Sequence, residues 1–193
     1  MKFRNILGLM MIPAILFIQS CGSAGGGITT LNTSMVSATV DTLVLDSDVV
    51  SWVDSTGAKA TACASTSQAA TPAADSINMT IVSKTYSNTA STALPVRIGN
   101  VTISYSPANT TTPAMASEYQ TVGQIIQPGA SLTVPVRISS QEQKIRLQSV
   151  LSCSATIYNY YVTLTADVTE IGTDKKGTVT TNMQLRFADF VDK

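Results

Sequence analysis

Apolar and polar residues alternate strictly in three segments of the C-terminal half of the chain. The first covers residues 132–138, the second 158–168 and the third 179–187. A period of two places successive side chains on opposite faces of a β-strand, so each segment is predicted to be a half-buried strand. A polar, glycine-bounded connection at 171–177 separates the second segment from the third. This arrangement predicts one long hairpin over residues 156–190.

Two local features refine these strands. Pro135 lies inside the first segment and has no amide hydrogen to donate. That strand is therefore predicted to lie at a sheet edge or beside a bulge, after a turn at residues 128–129. Farther upstream, the alternating segment 96–105 changes parity at residues 99–100. A slip of one residue predicts a β-bulge at that point.

Weaker patterns predict the remaining elements. Further strands are expected at residues 35–45, 49–53, 78–86 and 119–126, and loops at 58–76 and 106–116. Only residues 140–151 have helical spacing, with Ser140 as the predicted N-cap and Gln143 at the capping-box position. Leu147, Val150 and Leu151 are expected to form the apolar face of this short helix.

The order of these elements indicates an all-β fold. About seven or eight strands without alternating helices predict a two-sheet antiparallel β-sandwich with one short helix. Residues 126–134, IQPGASLTV, resemble the turn and strand start of bacterial immunoglobulin-like surface modules, including the cell-adhesion-related type. The resemblance implies that the sandwich is immunoglobulin-like.

The N-terminal residues have the pattern of a secretory signal. Lys2 and Arg4 precede an apolar run at residues 6–18 that contains Pro13. This run is shorter than the roughly 20 apolar residues that a membrane-spanning helix needs. We therefore expect residues 1–20 to form a cleaved signal peptide.

The sequence Ile18-Gln19-Ser20-Cys21 at the end of this run resembles the lipobox of bacterial lipoproteins. The resemblance implies that Cys21 carries a diacylglyceryl group and an N-acyl chain, which together hold a protein on a bilayer. Residues 21–34 are expected to form the lipidated cysteine and a flexible tether, and residues 35–193 a single β-sandwich domain. Gly22, in place of an aspartate after the cysteine, implies an outer-membrane location in the cell envelope.

Composition excludes several classes of function. The chain of 193 residues has no histidine, which removes imidazole bases and histidine zinc ligands. Loss of the signal peptide leaves ten basic and twelve acidic side chains, and a net charge of about −2 provides no basic face for nucleic acid. Glu118, Glu142 and Glu170 lie far apart in the sequence, and no G-x-S-x-G motif is present. We expect a protein that is not an enzyme and that uses no cofactor or metal.

Cys63 and Cys153 remain once Cys21 is lipidated. An even pair in an exported protein predicts a disulfide. Closing a loop of about 90 residues stabilises a fold by roughly 4.5 kcal/mol in the chain-entropy model. The alternative is two unpaired thiols, neither with a histidine to activate it.

One short stretch, residues 41–54, contains residue types that suit ligand contacts. Four aspartates lie near Trp52 in the sequence, namely Asp41, Asp46, Asp48 and Asp54. Carboxylates can bind calcium and tryptophan can stack on a sugar ring, but the same residues are typical of solvent-facing acids and a core tryptophan.

Three tyrosines begin the predicted hairpin. Strand alternation predicts that Tyr158 and Tyr160 face the core and that Tyr161 faces outward, where it packs across strands or contacts a partner. These features together predict a structural or interaction module, attached to the membrane by its lipid and able to bind an envelope protein. The alternative function is an adhesion or ligand-binding domain for glycan or calcium.

Overall fold

Strands dominate the computed structural model, which describes residues 26–86 and 92–190. Cys21 and the predicted signal peptide lie outside these residues. The strands of the described chain are β1 (Ile28–Thr30), β2 (Ser34–Val40), β3 (Val44–Asp48), β4 (Ser51–Val53), β5 (Gln68–Ala70), β6 (Asp75–Thr85), β7 (Val96–Pro107), β8 (Glu118–Thr121), β9 (Ile125–Ile126), β10 (Ser131–Ser139), β11 (Tyr158–Glu170) and β12 (Lys176–Ala188). The helix is α1 (Gln141–Leu151).

Two sheets form a sandwich around one apolar core. Their strand orders are β1-β2-β6-β10 and β3-β12-β11-β7-β8, with β9 also paired to β7. The predicted all-β sandwich with one short helix is confirmed. Two details depart from a purely antiparallel pair of sheets, because β3 runs parallel to β12 and because β4 and β5 form a small sheet of their own.

The alternating segments form the strands that their patterns predict. β10, which contains Pro135, lies at the edge of its sheet. β11 and β12 form the long antiparallel hairpin. Ala166 of β11 pairs with Val101 of β7 and Val168 pairs with Ile98, so two residues of β7 face one residue of β11. This is the predicted bulge.

Two predicted strands are interrupted, and one predicted loop is partly ordered as strand. Residues 35–45 divide into β2 and β3 because the chain crosses from one sheet to the other after Val40. Residues 119–126 divide into β8 and β9 at Gly123, whose positive φ of 66° breaks the strand. The predicted loop 58–76 contains β5 and the start of β6.

Aromatic side chains fill the centre of the core. Tyr160 makes edge-to-face contacts with Tyr105 and Phe187, with ring centroids 6.4 and 5.9 Å apart. Both tyrosine hydroxyls donate to backbone carbonyls, Tyr160 to Pro113 at 2.8 Å and Tyr105 to Ile138 at 2.9 Å. Burial raises the pKa of each tyrosine to about 12. The two hydroxyls therefore stay neutral over the physiological pH range.

The N-terminal boundary of the domain lies earlier than predicted. Ile28–Thr30 form β1, which pairs with β2, and Leu31 is buried in the core. The N–H of Gly27 also donates to the carbonyl of Thr180 in β12 at 2.6 Å, so this segment lies between the two sheets. The predicted tether over 21–34 is therefore wrong from Gly27 onward, because these residues belong to one edge of the sandwich.

The side chain of Gln120 lies at the other edge of the β1-β2-β6-β10 sheet, beside β10. Its Nε2 donates to the carbonyl of Pro135 at 2.6 Å, and its Oε1 accepts the N–H of Arg137 at 3.1 Å. A side chain from β8 thus pairs with the backbone of β10, the edge strand of the other sheet. Edge strands left open are templates for unwanted pairing, and this amide covers part of one.

Candidate functional site

Helix α1 forms one wall of the candidate site. Gln143 donates its N–H to Ser140 Oγ at 3.2 Å, and Gln143 Oε1 accepts the N–H of Ser140 at 2.8 Å. The predicted capping box is therefore confirmed. Leu147 and Leu151 are buried as expected, but Val150 is 56% exposed. Val150 therefore does not share the buried face of Leu147 and Leu151, with which it was predicted to form one apolar face.

Lys144 lies on the buried face of α1 with Leu147 and Leu151. It is only 1% exposed, and its Nζ donates to the carbonyl of Ala73 at 2.7 Å and lies 3.0 Å from Asp75 Oδ2. Ser139 Oγ donates to the same carboxylate oxygen at 2.7 Å. A buried ammonium is stable only when it is paired and hydrogen-bonded, and these contacts attach α1 to the start of β6.

A groove of about 500 Å³ lies between α1 and the segment that precedes β8. This volume falls in the range of about 300–1,000 Å³ that is typical of ligand sites. Its lining is Pro113, Ala114, Met115, Ala116, Glu118, Ser140, Glu142, Gln143, Arg146, Leu147, Val150 and Tyr158. The groove thus combines an apolar floor with a small number of polar and charged groups.

Two carboxylates of the groove have different partners. Glu142 pairs with Arg146 at 2.5 Å along the exposed face of α1, a surface pair that contributes little to stability. Glu118 lies 3.7 Å from Arg137, and its side chain is 23% exposed. The structure brings Glu118 and Glu142 to one groove, and each carboxylate there lies beside its own arginine. This arrangement gives no support to general acid–base catalysis by Glu118 and Glu142.

Glu170 lies at the other end of β11. Its carboxylate accepts the N–H and hydroxyl of Thr33 at 2.8 and 2.6 Å and the hydroxyl of Thr173 at 2.6 Å. Burial alone would raise the pKa of Glu170, but the hydrogen bonds from Thr173 and Thr33 outweigh it, and the pKa lies below its ordinary value. Glu170 therefore links the turn between β1 and β2 to the hairpin of β11 and β12.

The predicted disulfide between Cys63 and Cys153 is present, with Cα atoms 5.6 Å apart. The Asp189 carboxylate accepts the N–H of Cys153 at 2.6 Å and the indole N–H of Trp52 at 3.0 Å. In the part of the chain that the structure describes, the two cysteines and Asp189 are the one group of three possible metal ligands, and the disulfide uses both sulfurs. Trp52 is buried in the core, where it cannot stack on a sugar.

The four aspartates near Trp52 serve separate local contacts. Asp46 forms a bidentate pair with Arg186 at 2.5 and 2.7 Å. Asp41 accepts hydrogen bonds from β6, whereas Asp48 and Asp54 accept N–H groups of their own loops. No three of them meet at one point among residues 26–86 and 92–190, so the structure gives no support to calcium binding there.

The tyrosines at the start of β11 follow the predicted alternation. Tyr160 is fully buried, Tyr158 is half-buried at the groove, and Tyr161 points outward and is exposed. In the sheet Tyr161 lies between Ser106 and Gln184. Packing against these small or flexible neighbours leaves most of the ring in solvent.

No protein-family model matches the chain, and no curated protein sequence matches it. Within the described ranges, no helix has the length and apolar character needed to cross a bilayer, and α1 has 11 residues.

Proposed function

We propose that this protein is a lipid-anchored module of the bacterial cell envelope that binds other envelope components and catalyses no reaction. The observation that carries the proposal is the disulfide between Cys63 and Cys153. Such bonds persist in oxidising compartments, which agrees with export of the chain by its signal-like N-terminus. Gly22 after the lipobox cysteine favours the outer membrane.

The short link between the sandwich and Cys21 supports a position close to the proposed anchor. Strand pairing begins at Ile28, and Gly26, the first residue that the structure describes, is five residues from Cys21. Five residues span at most about 17 Å when fully extended. The domain is therefore held close to the membrane surface rather than at the end of a long tether.

The surface of the sandwich supports binding rather than catalysis. The chain has no histidine, and the carboxylates in the groove each lie beside an arginine. The groove beside α1 is a concave surface with exposed apolar side chains, which is typical of binding sites. The resemblance of residues 126–134 to immunoglobulin-like surface modules supports the same function. Glycan or calcium binding near Trp52 is not favoured, because Trp52 is buried and its aspartates are dispersed.

Metabolic labelling with radioactive palmitate tests the anchor. We expect the wild-type protein to incorporate label and to partition into detergent, and the Cys21→Ala variant to lose both properties. The Ser20→Ala variant is the matched control, because alanine is also small and suits that lipobox position. Label retained in Cys21→Ala would refute the anchor.

Cross-linking in intact cells, followed by mass spectrometry, tests the binding function. We expect one or a few envelope proteins to be cross-linked to the wild-type protein reproducibly and to be lost when Cys21→Ala removes the anchor. Recovery of the protein without any specific cross-link would refute an interaction module.

A further inference from the structure

Residues 114–116 belong to a stretch, 113–117, that has neither turn nor bend, and the backbone of these three residues is unpaired. None of the described residues forms a hydrogen bond with the backbone of residues 114–116. Strand β8 begins only after them, at Glu118. The segment is held at both ends, because the carbonyl of Pro113 accepts the hydroxyl of Tyr160 and the Ser117 hydroxyl bonds to β7. Backbone that is held and unpaired is a ready partner for another strand.

The other wall of the groove offers apolar surface to the same occupant. Leu147 and Val150 of α1 line the groove, as do Tyr158 and, from the first wall, Met115. Val150 has the helical spacing of a core residue, yet no part of the described chain covers it and it is 56% exposed. One wall thus supplies hydrogen-bonding groups and the other supplies contacts for side chains. Extended peptides are recognised by this combination when they add a strand to a sheet edge.

The charges of the groove favour a basic group on that occupant. Two carboxylates and one guanidinium line it, and Arg146 already pairs closely with Glu142. Glu118 is left with a longer contact of 3.7 Å to Arg137. A carboxylate in this position is suited to accept a charge-assisted hydrogen bond from a lysine or arginine side chain.

We propose that the groove binds an extended peptide segment of a partner protein by strand addition to residues 114–116. Alternate apolar side chains of the peptide contact Leu147 and Val150, and a lysine or arginine reaches Glu118. From Ser140 to Val150 the helical wall is about 15 Å long, which matches four or five extended residues. This inference rests on the interaction module proposed above and names the chemistry of its partner.

Peptide selection on the full chain, purified in detergent, tests the site. The probe is a phage-displayed library of random nine-residue peptides, panned in parallel on the wild type and on Val150→Lys. Ile145→Lys is the matched control, because Ile145 is also exposed on α1, at 51%, but does not line the groove. Circular dichroism and the thermal midpoint confirm that both variants are folded.

We expect peptides with alternating apolar residues and one basic residue to be enriched on the wild type. They should bind Ile145→Lys with equal affinity and Val150→Lys at least tenfold more weakly. Glu118→Gln should weaken the basic peptides several-fold and leave their neutral analogues unchanged. Failure to enrich any peptide, or equal binding to Val150→Lys, would overturn the proposal.

Strand addition has its own readout. N-methylation of alternate amides in a selected peptide should lower its affinity at least tenfold, since it removes donors to the sheet edge. Hydrogen exchange at the amides of residues 114–116 should slow when the unmodified peptide binds. Equal affinity of the methylated peptide, with no protection of these amides, would show that strand addition is wrong.

The outcomes separate this inference from the proposed function. If the partners cross-linked in cells are captured equally by Val150→Lys, the groove is not their site, while the interaction module stands. If Cys21→Ala keeps its lipid label, the envelope assignment fails whatever the peptides do.

Discussion

Gln120→Ala tests how the sandwich closes its edge between β8 and β10. The wild-type side chain donates to the Pro135 carbonyl at 2.6 Å and accepts the Arg137 N–H at 3.1 Å. Because β10 is an edge strand, the variant leaves two backbone groups to water. A net intramolecular hydrogen bond contributes about 0.5–1.5 kcal/mol, and both groups are partly accessible. We therefore expect the free energy of unfolding to fall by about 1–2 kcal/mol.

Urea unfolding followed by fluorescence of Trp52, the single tryptophan of the chain, measures this loss. With m near the middle of the range of about 1–3 kcal/mol per M for small proteins, the midpoint should fall by roughly 0.5–1 M with m unchanged. Gln120→Met should show a similar loss, because it keeps most of the side-chain volume and removes the same hydrogen bonds. Sedimentation should also show more self-association, because the edge of β10 is open.

Gln124→Ala is the control for this series. Gln124 is an exposed residue between β8 and β9, and its backbone carbonyl still accepts the Ile98 N–H after the substitution. A stability loss in Gln120→Ala no larger than that in Gln124→Ala would refute the account of the edge. So would a Gln120→Met variant as stable as the wild type.

Three further predictions concern stability. Replacing Cys63 and Cys153 by serine should lower the free energy of unfolding by about 4.5 kcal/mol in urea titrations, and a loss below about 1 kcal/mol would contradict the loop-closure account. The pKa of Glu170 is lowered in the folded state, so the ionised carboxylate stabilises the fold above its unfolded pKa, and this contribution disappears as pH falls through the folded pKa. Glu170→Gln should therefore flatten the acid side of the curve of unfolding free energy against pH. An unchanged curve would exclude a stabilising role for the Glu170 carboxylate. The pKa values of Tyr105 and Tyr160 are raised to about 12, so stability should be lost as pH rises from about 10 to 12, by on the order of 2 kcal/mol per tyrosine. Tyr160→Phe should remove about half of this alkaline loss in thermal midpoints measured against pH, and an equal loss in the variant would show that other groups cause it.

Features that depend on local chemistry could be predicted from the sequence. The hairpin of β11 and β12 follows from a period of two on each side of a glycine-bounded turn, and the bulge near Gly99 follows from one change of parity. The capping box at Ser140 is a three-residue pattern whose hydrogen bonds need no distant partner. The disulfide followed from cysteine parity and the predicted export signal.

Features that depend on distant residues could not be predicted in this way. Lys144 is buried because Ala73 and Asp75 meet it from another part of the chain, and no periodicity marks a lysine as a core residue. Val150 has core spacing but faces the groove, because the segment 113–117 stands away from α1. β1 is a three-residue strand, too short for its alternation to be recognised.

The hydrogen bond between Gly27 and Thr180 has a consequence for the timing of folding. Trp52 with Asp189 and Thr33 with Glu170 make similar connections, each across 137 positions in the chain. A polypeptide is synthesised from its N-terminus, so Gly27 can form this hydrogen bond only after Thr180, 153 positions later, has emerged. Long-range pairing of this kind is slow and leaves unsatisfied strand edges exposed in the interval. We therefore expect a newly made chain to bind chaperones until the hairpin of β11 and β12 has been synthesised.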